Sequence, residues 1–412
     1  MAIIVQKFGG TSVADAEKIR RAAKRVIDTV KKGFSVVVVA SARGKQTDEL
    51  IADALELNPN PPKRELDQLL STGEQQTVSL FAMALEAAGY EAISFTGSQI
   101  RMLTDSVHTS ARIKSIGADR IRKQLDEGKI VLVAGFQGID DDENITTLGR
   151  GGSDTSAVAI AAALEAVECE IYTDVDGIYT TDPRIFKSAA KMQYITYDEM
   201  LEMASLGAGV LYGRAVEVGK NYRVRIHVRS SSEETEGTII TCEVPQVEDI
   251  VVSGATIQRD LAKIDLVGVD NKPGNAAKLF AHLAKAKIVI NDIIQTEVSV
   301  EKANLSFTIG VADLPDAQKA IEQIKGTLNC ESVFIRDDIA EVSVVGVGMR
   351  SHFGVADAMF TALAKAEINV DSITTSEIRI SCVVDKNVAE KALKAVCLAF
   401  ELDKPVEQRK KN

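Results

Sequence analysis

The sequence predicts a layered α/β domain with a mostly parallel sheet, followed by two smaller α+β modules. Apolar strand segments alternate with amphipathic helices through about residue 240, a pattern typical of parallel sheets covered by helices. The last third of the chain contains an internal repeat instead. A chain of 412 residues also exceeds what one hydrophobic core usually supports, so more than one domain is expected.

The N-terminal segment predicts a strand, a glycine turn and a helix. AIIVQKF (2–8) has the continuous apolar character of a buried strand, and Gly9-Gly10 follow it. Ser12 with Asp15 resembles a capping box at the start of the next helix. One face of that helix collects Ile19, Ala22, Ala23, Val26, Ile27 and Val30.

The same alternation continues as far as the fourth buried strand. Buried strands are predicted at SVVVVASA (35–42), KIVLVAGF (129–136) and CEIYTDV (169–175), with a polar hairpin at GIDDDENITT (138–147). Helices are predicted from Thr47 to the NPNPP breaker, over the long segment that carries Gly73-Glu74, and over TSAVAIAAALEA.

The C-terminal third repeats itself. LVGVDNKPGNAAKLFAHLAKAKIVINDI (266–293) aligns with VVGVGMRSHFGVADAMFTALAKAEINVDSI (344–373), and each copy is followed by another strand and another helix. This pattern predicts two βαββαβ modules. The expected organisation is a first domain over 1–245, a linker over 246–260, one module over 261–335, and a second module with the tail over 336–412.

Composition and charge exclude several classes of protein. The net charge of −11 argues against a general binder of nucleic acid, which usually carries a basic face. The five cysteines are scattered and form no CxxC pair, which favours free thiols in a reducing compartment over disulfides or a zinc site. No apolar run approaches the ~20 residues that span a bilayer, and we expect a cytoplasmic protein.

Two glycine-rich patches, KFGGTS (7–12) and TTLGRGGSDTSA (146–157), each lie between a strand and a helix. Neither matches the phosphate loop G-x-x-x-x-G-K-[ST], and neither completes G-x-G-x-x-G. Glycine lets backbone amides approach an anion, and a helix N-terminus favours negative charge. Each patch alone is equally typical of a tight turn, but together they favour an anionic ligand.

Charged residues beside these patches suit phosphoryl transfer between two anions. Lys7 closes an apolar strand and could stabilise the transferring group. Asp154 and Asp174 could orient that lysine or hold Mg²⁺. Arg150 could bind a carboxylate, and Glu74 an ammonium group.

These motifs, read in order, resemble the aspartokinases. The similar segments are KFGGTS (7–12), VVVVASARGKQTDEL (36–50), STGE (71–74), SFTGSQ (94–99), GFQG with TTLGRGGSDTSAVAIAAAL (135–164) and IYTDVDGIYTTDPR (171–184). The tail resembles the paired ACT regulatory modules of the short, monofunctional members. The resemblance implies a three-layer αβα sandwich, the amino-acid-kinase fold. It also implies transfer of the ATP γ-phosphoryl group, with Mg²⁺, to the β-carboxylate of L-aspartate, giving 4-phospho-L-aspartate, the first step toward lysine, threonine and methionine.

The resemblance also implies roles for individual residues. Lys7 and Asp154 would be catalytic, the lysine stabilising the migrating group and the aspartate organising the lysine. Aspartate would be held by Thr47, Glu74, Arg150, Gly151, Gly152 and Ser153. The nucleotide site would comprise Lys7, Phe8, Gly9, Gly10, Ser41, Thr173, Asp174, Tyr179, Thr180, Thr181, Asp182, Pro183 and Arg184. The residues that bind the metal are left open.

For the ACT modules, the resemblance implies binding of lysine, threonine or both, and a homodimer or higher oligomer. The regulatory residues would be Asn271, Pro273, Gly274, Ala276, Asn291, Gln295, Gly354, Val355, Asn369, Val370, Thr375, Ser376 and Glu377. The first module departs from the family pattern, since Asn271 replaces the aspartate of DKPG and Ile288–Asn291 reads IVIN instead of INVD. We expect inhibition to persist with altered lysine/threonine selectivity; the alternative is that the modules serve only for dimerisation.

Two further departures bear on catalysis. Gly209 stands where the family has a lysine that contacts ATP phosphates, and Arg43 replaces the methionine of SAMG, where it could supply the missing charge. Two other functions remain open. One is a kinase for another small acid such as glutamate or acetylglutamate, and the other is a catalytically weakened, amino-acid-sensing regulatory subunit.

Overall fold

A computed structural model describes residues 1–242, 244 and 251–409 of the chain. These divide into two compact units. The first contains residues 1–180 and the described residues of 190–244, and the second contains 181–189 and the described residues from 251 onward. Residues 246–250 of the expected linker, residue 245 and the last three residues lie outside the described part of the chain.

The first unit alternates strands and helices as expected. Its strands are β1 Ile3–Phe8, β2 Ser35–Ala40, β3 Ala92–Phe95, β4 Leu103–Thr104, β5 Ile113–Ser115, β6 Ile130–Ala134, β7 Gln137–Ile139, β8 Ile145–Thr147, β9 Glu168–Thr173, β10 Tyr194–Thr196, β11 Ile226–Ser230 and β12 Thr238–Thr241. Its helices are α1 Ala16–Lys31, α2 Gln46–Leu57, α3 Lys63–Ala87, α4 Asp119–Asp126, α5 Gly152–Leu164, α6 Tyr197–Ser205 and α7 Gly213–Tyr222.

Eight of these strands form the central sheet, in the order β10-β12-β11-β9-β1-β2-β6-β3. Its pairs are parallel apart from β11 with β12. Helices α1 and α3 cover one face, where Phe8, Val36 and Val38 are buried. Helix α5 packs on β1, β2 and β9 from the other face, which the alternate side chains of each strand occupy. The predicted three-layer αβα arrangement is therefore confirmed.

The polar hairpin leads into the second glycine loop, and the first helix follows the first glycine loop. β7 and β8 pair antiparallel around the predicted turn, in a small sheet ordered β5-β4-β7-β8.

The capping box predicted for α1 is wrong. Asp15 is the N-cap, with its carboxylate accepting from the Lys18 amide, and Ser12 lies in a short 3₁₀ turn, Gly10–Val13. This 3₁₀ turn lies between β1 and α1, so Ser12 precedes the helix and is not at its N-cap.

The second unit contains both halves of the internal repeat. Its elements are β13 Gly254–Asp270, α8 Asn275–Lys285, β14 Ile290–Glu297, β15 Lys302–Gly310, α9 Leu314–Ile324, β16 Ser332–Val345, α10 Val355–Lys365, β17 Ser372–Thr375, β18 Arg379–Asp385 and α11 Ala389–Ala399. They form one six-stranded sheet in the order β14-β15-β13-β16-β18-β17. Among the described residues, no helix is both long enough and apolar enough to span a membrane.

The two repeats share strands, which corrects the assignment of residues 254–260 to a linker. The start of β13, from Gly254 to Gln258, pairs with Val345–Glu341 at the end of β16. The later part, Lys263–Val267, pairs with Arg336–Ser332 at the start of β16. No strand follows α11 within the described residues, so the strand that completes the second repeat comes from the chain before the first repeat.

Candidate active site

The glycine turns and the loops beside them lie at one edge of the central sheet. Because β1, β2 and β9 are parallel and Phe8 is in register with Ala40 and Tyr172, their carboxyl ends coincide. Gly9-Gly10, the loop that begins at Ser41, and Thr173-Asp174 therefore emerge side by side. In open α/β sheets, this edge is where ligands bind.

The first turn needs glycine because two loops meet there. A Cβ on Gly10 would lie 2.6 Å from the carbonyl oxygen of Ala42, which no side chain tolerates. The Gly10 carbonyl accepts a hydrogen bond from the Gly44 amide at 3.0 Å. The turn after β1 and the loop after β2 are thus fixed against each other.

Lys7 and Asp154 form a buried ion pair between two elements. Lys7 is in β1, on the face opposite to Phe8, and points toward the first turn of α5, where Asp154 lies. The Lys7 Nζ and Asp154 Oδ1 atoms are 2.5 Å apart, and each side chain is only 10% exposed. A Cβ placed on Gly9 would be 3.5 Å from the same Nζ, so the ammonium lies directly beside the first glycine turn.

The second glycine patch forms the start of α5. Gly151 adopts a left-handed conformation, with φ of 68°, and a Cβ there would lie 2.2 Å from Tyr212 Cγ. A Cβ on Gly152 would lie 2.8 Å from a ring carbon of Phe136. No side chain caps the helix, and the Gly152 amide donates to the Gly149 carbonyl at 3.0 Å. The Ser153 amide, which makes no backbone hydrogen bond within the described residues, is therefore free to bind an anion beside Lys7. Arg150, just before this turn, is exposed.

Glu74 projects from α3 toward the loop after β2. Its Oε1 accepts a hydrogen bond from the Ala42 amide at 3.1 Å, while the buried Oε2 makes no hydrogen bond within the described residues. Burial raises the pKa of Glu74 from 4.5 to about 8. A cationic ligand group at this carboxylate would satisfy Oε2 and restore its charge. Thr47, half-buried in the first turn of α2, follows the same loop.

Other buried polar atoms without partners lie in the same loops. Within the described residues they include Ser12 Oγ, Arg43 Nε and Gln46 Oε1. A Cβ on Gly73 would be 3.7 Å from Gln46 Oε1, which places that atom next to the turn of α3 that carries Glu74. Buried polar groups are normally paired, so such a group of unpaired atoms is typical of a ligand site.

The residues predicted to bind nucleotide divide between the two units. Thr173 donates a hydrogen bond to Asp174, 3.1 Å between Oγ1 and Oδ1, at the end of β9. The Tyr179 hydroxyl donates to Asp176 at 2.9 Å, and burial raises the pKa of Tyr179. Thr180 also belongs to the first unit, whereas Thr181 and Asp182–Arg184 belong to the second.

In the segment 181–184, which belongs to the second unit, Arg184 donates to both carboxylate oxygens of Asp182, and this contact lowers the pKa of Asp182. The two side chains thus form a compact ion pair within the loop. Gly209 lies in an exposed turn, and a Cβ there would meet no atom within 4 Å. The family lysine would therefore fit at this position.

Arg214, at the start of α7, is a residue of the site that the sequence did not predict. Its guanidinium donates to the carbonyl oxygens of Leu148 at 2.6 Å and Ala111 at 2.8 Å, and so holds the backbone that precedes Arg150. A single arginine after a glycine gives no sequence signal of this role, because its partners are backbone atoms far along the chain.

One other group of potential metal ligands lies at the opposite ends of the strands. Glu168, Glu170 and His227 place ligand atoms within 4.8 Å of one another. Arg225 pairs with Glu168 at 2.9 Å, and Arg229 pairs with Glu170 at 2.7 Å. The arginines already neutralise both carboxylates, so this cluster is a structural ion-pair network.

The comparisons with known proteins agree with this geometry. The model of the amino acid kinase family matches residues 2–230, and an ACT domain model matches residues 342–400. The chain is 51% identical to the aspartokinase of Bacillus sp. strain MGA3 over 402 residues, which are 98% of each chain.

Two solved structures extend the comparison. The aspartate kinase from Synechocystis is 43% identical, with 97% of this chain and 70% of that chain covered and a TM-score of 0.55. E. coli aspartokinase III in complex with aspartate and ADP is 25% identical, with 97% and 100% covered and a TM-score of 0.82. The chain therefore belongs to the amino acid kinase family, among its aspartokinases. The family resemblance, the fold class and the assignment as a kinase are confirmed.

Proposed function

We propose that the chain transfers the γ-phosphoryl group of ATP to the β-carboxylate of L-aspartate, giving 4-phospho-L-aspartate and ADP. The observation that carries this proposal is the buried pair of Lys7 with Asp154, which lies between two glycine turns. The full-length similarity to aspartokinases supports aspartate as the acceptor over glutamate or acetylglutamate.

This phosphoryl transfer requires a positioned acceptor and neutralisation of the phosphate charge, and it does not require a general base. A carboxylate acceptor is already ionised near neutral pH, so no proton has to be removed from it. Charge on the transferring phosphoryl group would be stabilised by the Lys7 ammonium and the amides of Gly9 and Gly10. Asp154 would keep that ammonium in place while the group moves.

The acceptor would lie between α5 and α3. The free amide of Ser153 and the guanidinium of Arg150 would bind its carboxylates, and Gly152, without a Cβ, would let them approach the start of α5. Glu74 would accept from its ammonium group, with Thr47 nearby. Positively charged and amide groups would thus bind the carboxylates of the acceptor, and Glu74 would bind its ammonium group. This arrangement favours an amino acid with two carboxylates.

Mg²⁺ fits the oxygen donors at the end of β9. The Asp174 carboxylate is of the type that Mg²⁺ prefers, and we propose that it holds the ion together with nucleotide phosphates. The ion would supply charge neutralisation on the phosphate chain when bound. The chain's own contribution is to orient Asp174 through the Thr173 hydroxyl.

We further propose that lysine, threonine or both inhibit the enzyme at the ACT modules, within a homodimer or higher oligomer. Gly274 and Gly354 have matching left-handed conformations, with φ of 93° and 92°, at the starts of α8 and α10. Several proposed effector residues are exposed, and so are accessible to a ligand or a second chain: Asn291, Gln295, Asn369, Thr375, Ser376 and Glu377.

A hydroxamate-trapping assay tests the proposed reaction. The purified chain is given MgATP with L-aspartate, L-glutamate or N-acetylglutamate in parallel. Aspartate should be the preferred acceptor, with turnover near the ~10 s⁻¹ typical of enzymes. Turnover with another acid instead would overturn the choice of acceptor, and no turnover with any acid would favour the regulatory-subunit alternative.

A further inference from the structure

A buried acid outside the proposed site lies on the same helix as Glu74. Asp67 precedes Glu74 by seven residues, which is about two turns of α3, so both lie on one helical face. The Asp67 side chain is fully buried. A carboxylate in such a position requires hydrogen-bonding partners, because an unpaired buried charge is strongly unfavourable.

Asp67 finds those partners in two neighbouring segments. Its Oδ1 accepts from the Thr147 hydroxyl at 2.5 Å, and both oxygens accept from the Thr109 amide at 3.1 Å. Its Oδ2 is 2.7 Å from His108 Nδ1. The His108 tautomer with its proton on Nδ1 would donate to this oxygen.

Both segments lead to the glycine loop before α5. Thr147 ends β8, two residues before Gly149, where a Cβ would lie 3.0 Å from the Thr109 carbonyl oxygen. Arg214 binds the Leu148 and Ala111 carbonyls from α7. The backbone at 147–149 is therefore fixed by a carboxylate on α3 and a guanidinium on α7.

We propose that Asp67 is a positioning residue for the acceptor: through Thr147, His108 and Thr109 it sets the place of the loop that carries Arg150 and Gly151–Ser153. This inference rests on the proposed function and adds a residue that touches no substrate. The helix that carries Glu74 would thereby also set the groups on the other side of the acceptor. A displacement of about 1 Å in such a loop is enough to lower turnover ~100-fold.

The test uses paired variants that differ in one hydrogen bond. Thr147→Val removes the hydroxyl at nearly constant volume, and Thr147→Ser keeps it. His108→Leu removes the Nδ1 donor, and His108→Asn retains an amide donor at a similar place. Thr29→Val is the control, because it deletes a buried hydroxyl that donates to the Arg25 carbonyl and accepts from the Gln6 amide elsewhere in the unit.

We expect Thr147→Val and His108→Leu to raise KM for aspartate about tenfold or more, with KM for ATP changed less than about twofold. Thr147→Ser, His108→Asn and Thr29→Val should keep KM for aspartate near that of the unchanged chain. A loss of kcat in proportion to unfolded protein, with KM for aspartate unmoved, would overturn the inference and leave Asp67 a purely structural residue.

A second readout separates this inference from the proposed function. Arg150 is exposed, so trypsin cleavage after it, followed by mass spectrometry, reports how firmly the loop is held without reference to any substrate. Cleavage should accelerate about tenfold in Thr147→Val and stay unchanged in Thr29→Val. If the unchanged chain fails to phosphorylate aspartate, the proposed function falls. Equal cleavage rates in the two variants would overturn the role of Asp67 in either case.

Discussion

Replacing Glu74 with glutamine should make the protein more stable at high pH and worse at binding aspartate. The raised pKa means that the folded chain keeps a proton on Glu74 between pH 4.5 and about 8, whereas the unfolded chain releases it. The folded state therefore binds more protons in this range, and the free energy of unfolding falls as pH rises. The loss is complete above about pH 8.

The size of this effect follows from the two pKa values. The difference between 4.5 and about 8 corresponds to roughly 5 kcal/mol of lost stability once both states are ionised. Between pH 5 and pH 8.5 the titration accounts for about 4 kcal/mol of it. Glutamine cannot ionise, and its oxygen can still accept from the Ala42 amide, so Glu74→Gln should lack this contribution.

Urea unfolding followed by circular dichroism at pH 5 and pH 8.5 measures the difference. The unchanged chain should lose more free energy of unfolding between these pH values than Glu74→Gln does, by up to about 4 kcal/mol. Groups other than Glu74 titrate in both proteins, so comparing the two changes isolates this carboxyl. Saturating aspartate should offset part of the loss in the unchanged chain only, since its ammonium group pairs with ionised Glu74.

Kinetics give the second half of the prediction. Because ionised Glu74 binds the substrate, kcat/KM for aspartate should rise about tenfold per pH unit below pH 8 and then level off. Glu74→Gln should lack that rise and have KM for aspartate increased at least ~30-fold. A flat profile for the unchanged chain between pH 6 and pH 8, or the same pH slopes in both proteins, would refute the reasoning.

Three further predictions concern the phosphate side and the regulatory modules. Lys7→Met should lower kcat at least ~100-fold. Asp154→Asn combined with it should restore thermal stability but not activity, since the unpaired buried charge is removed; active Lys7→Met would contradict the role of the ammonium. Gly209→Lys should lower KM for ATP several-fold because it places a cation near polyphosphate, and Arg43→Ala should lose turnover unless Gly209→Lys is also present. An effect of Arg43→Ala no larger than an ordinary surface change would remove Arg43 from the site. Asn271→Asp should shift the ratio of lysine to threonine inhibition constants, and equal, synergistic inhibition of the unchanged chain by both amino acids would count against altered selectivity.

The sequence predicted the strand-turn-helix elements of the site because their patterns are local. Lys7 closes an apolar strand and two glycines, Gly149 and Gly151, precede α5, and both features are visible within a dozen residues. The sequence could not predict Asp67, since one acid in a long helix is usually solvated. Its burial depends on Thr109 and Thr147, which are 42 and 80 residues away. Arg214 was missed for the same reason, because it binds carbonyl oxygens and any sequence supplies those.

In the second unit, a clear sequence repeat predicts a module boundary that the strands do not follow. The repeat predicts two contiguous modules that meet between residues 335 and 336. Those residues lie inside β16, which pairs with β13 on both sides of this point. Cutting there would break one continuous strand and leave Gly254–Gln258 without its partner. Because backbone hydrogen bonds of a buried ladder have to be satisfied together, neither module is complete without residues from the other end of the unit. A ligand that orders one module therefore acts on strands that both modules share.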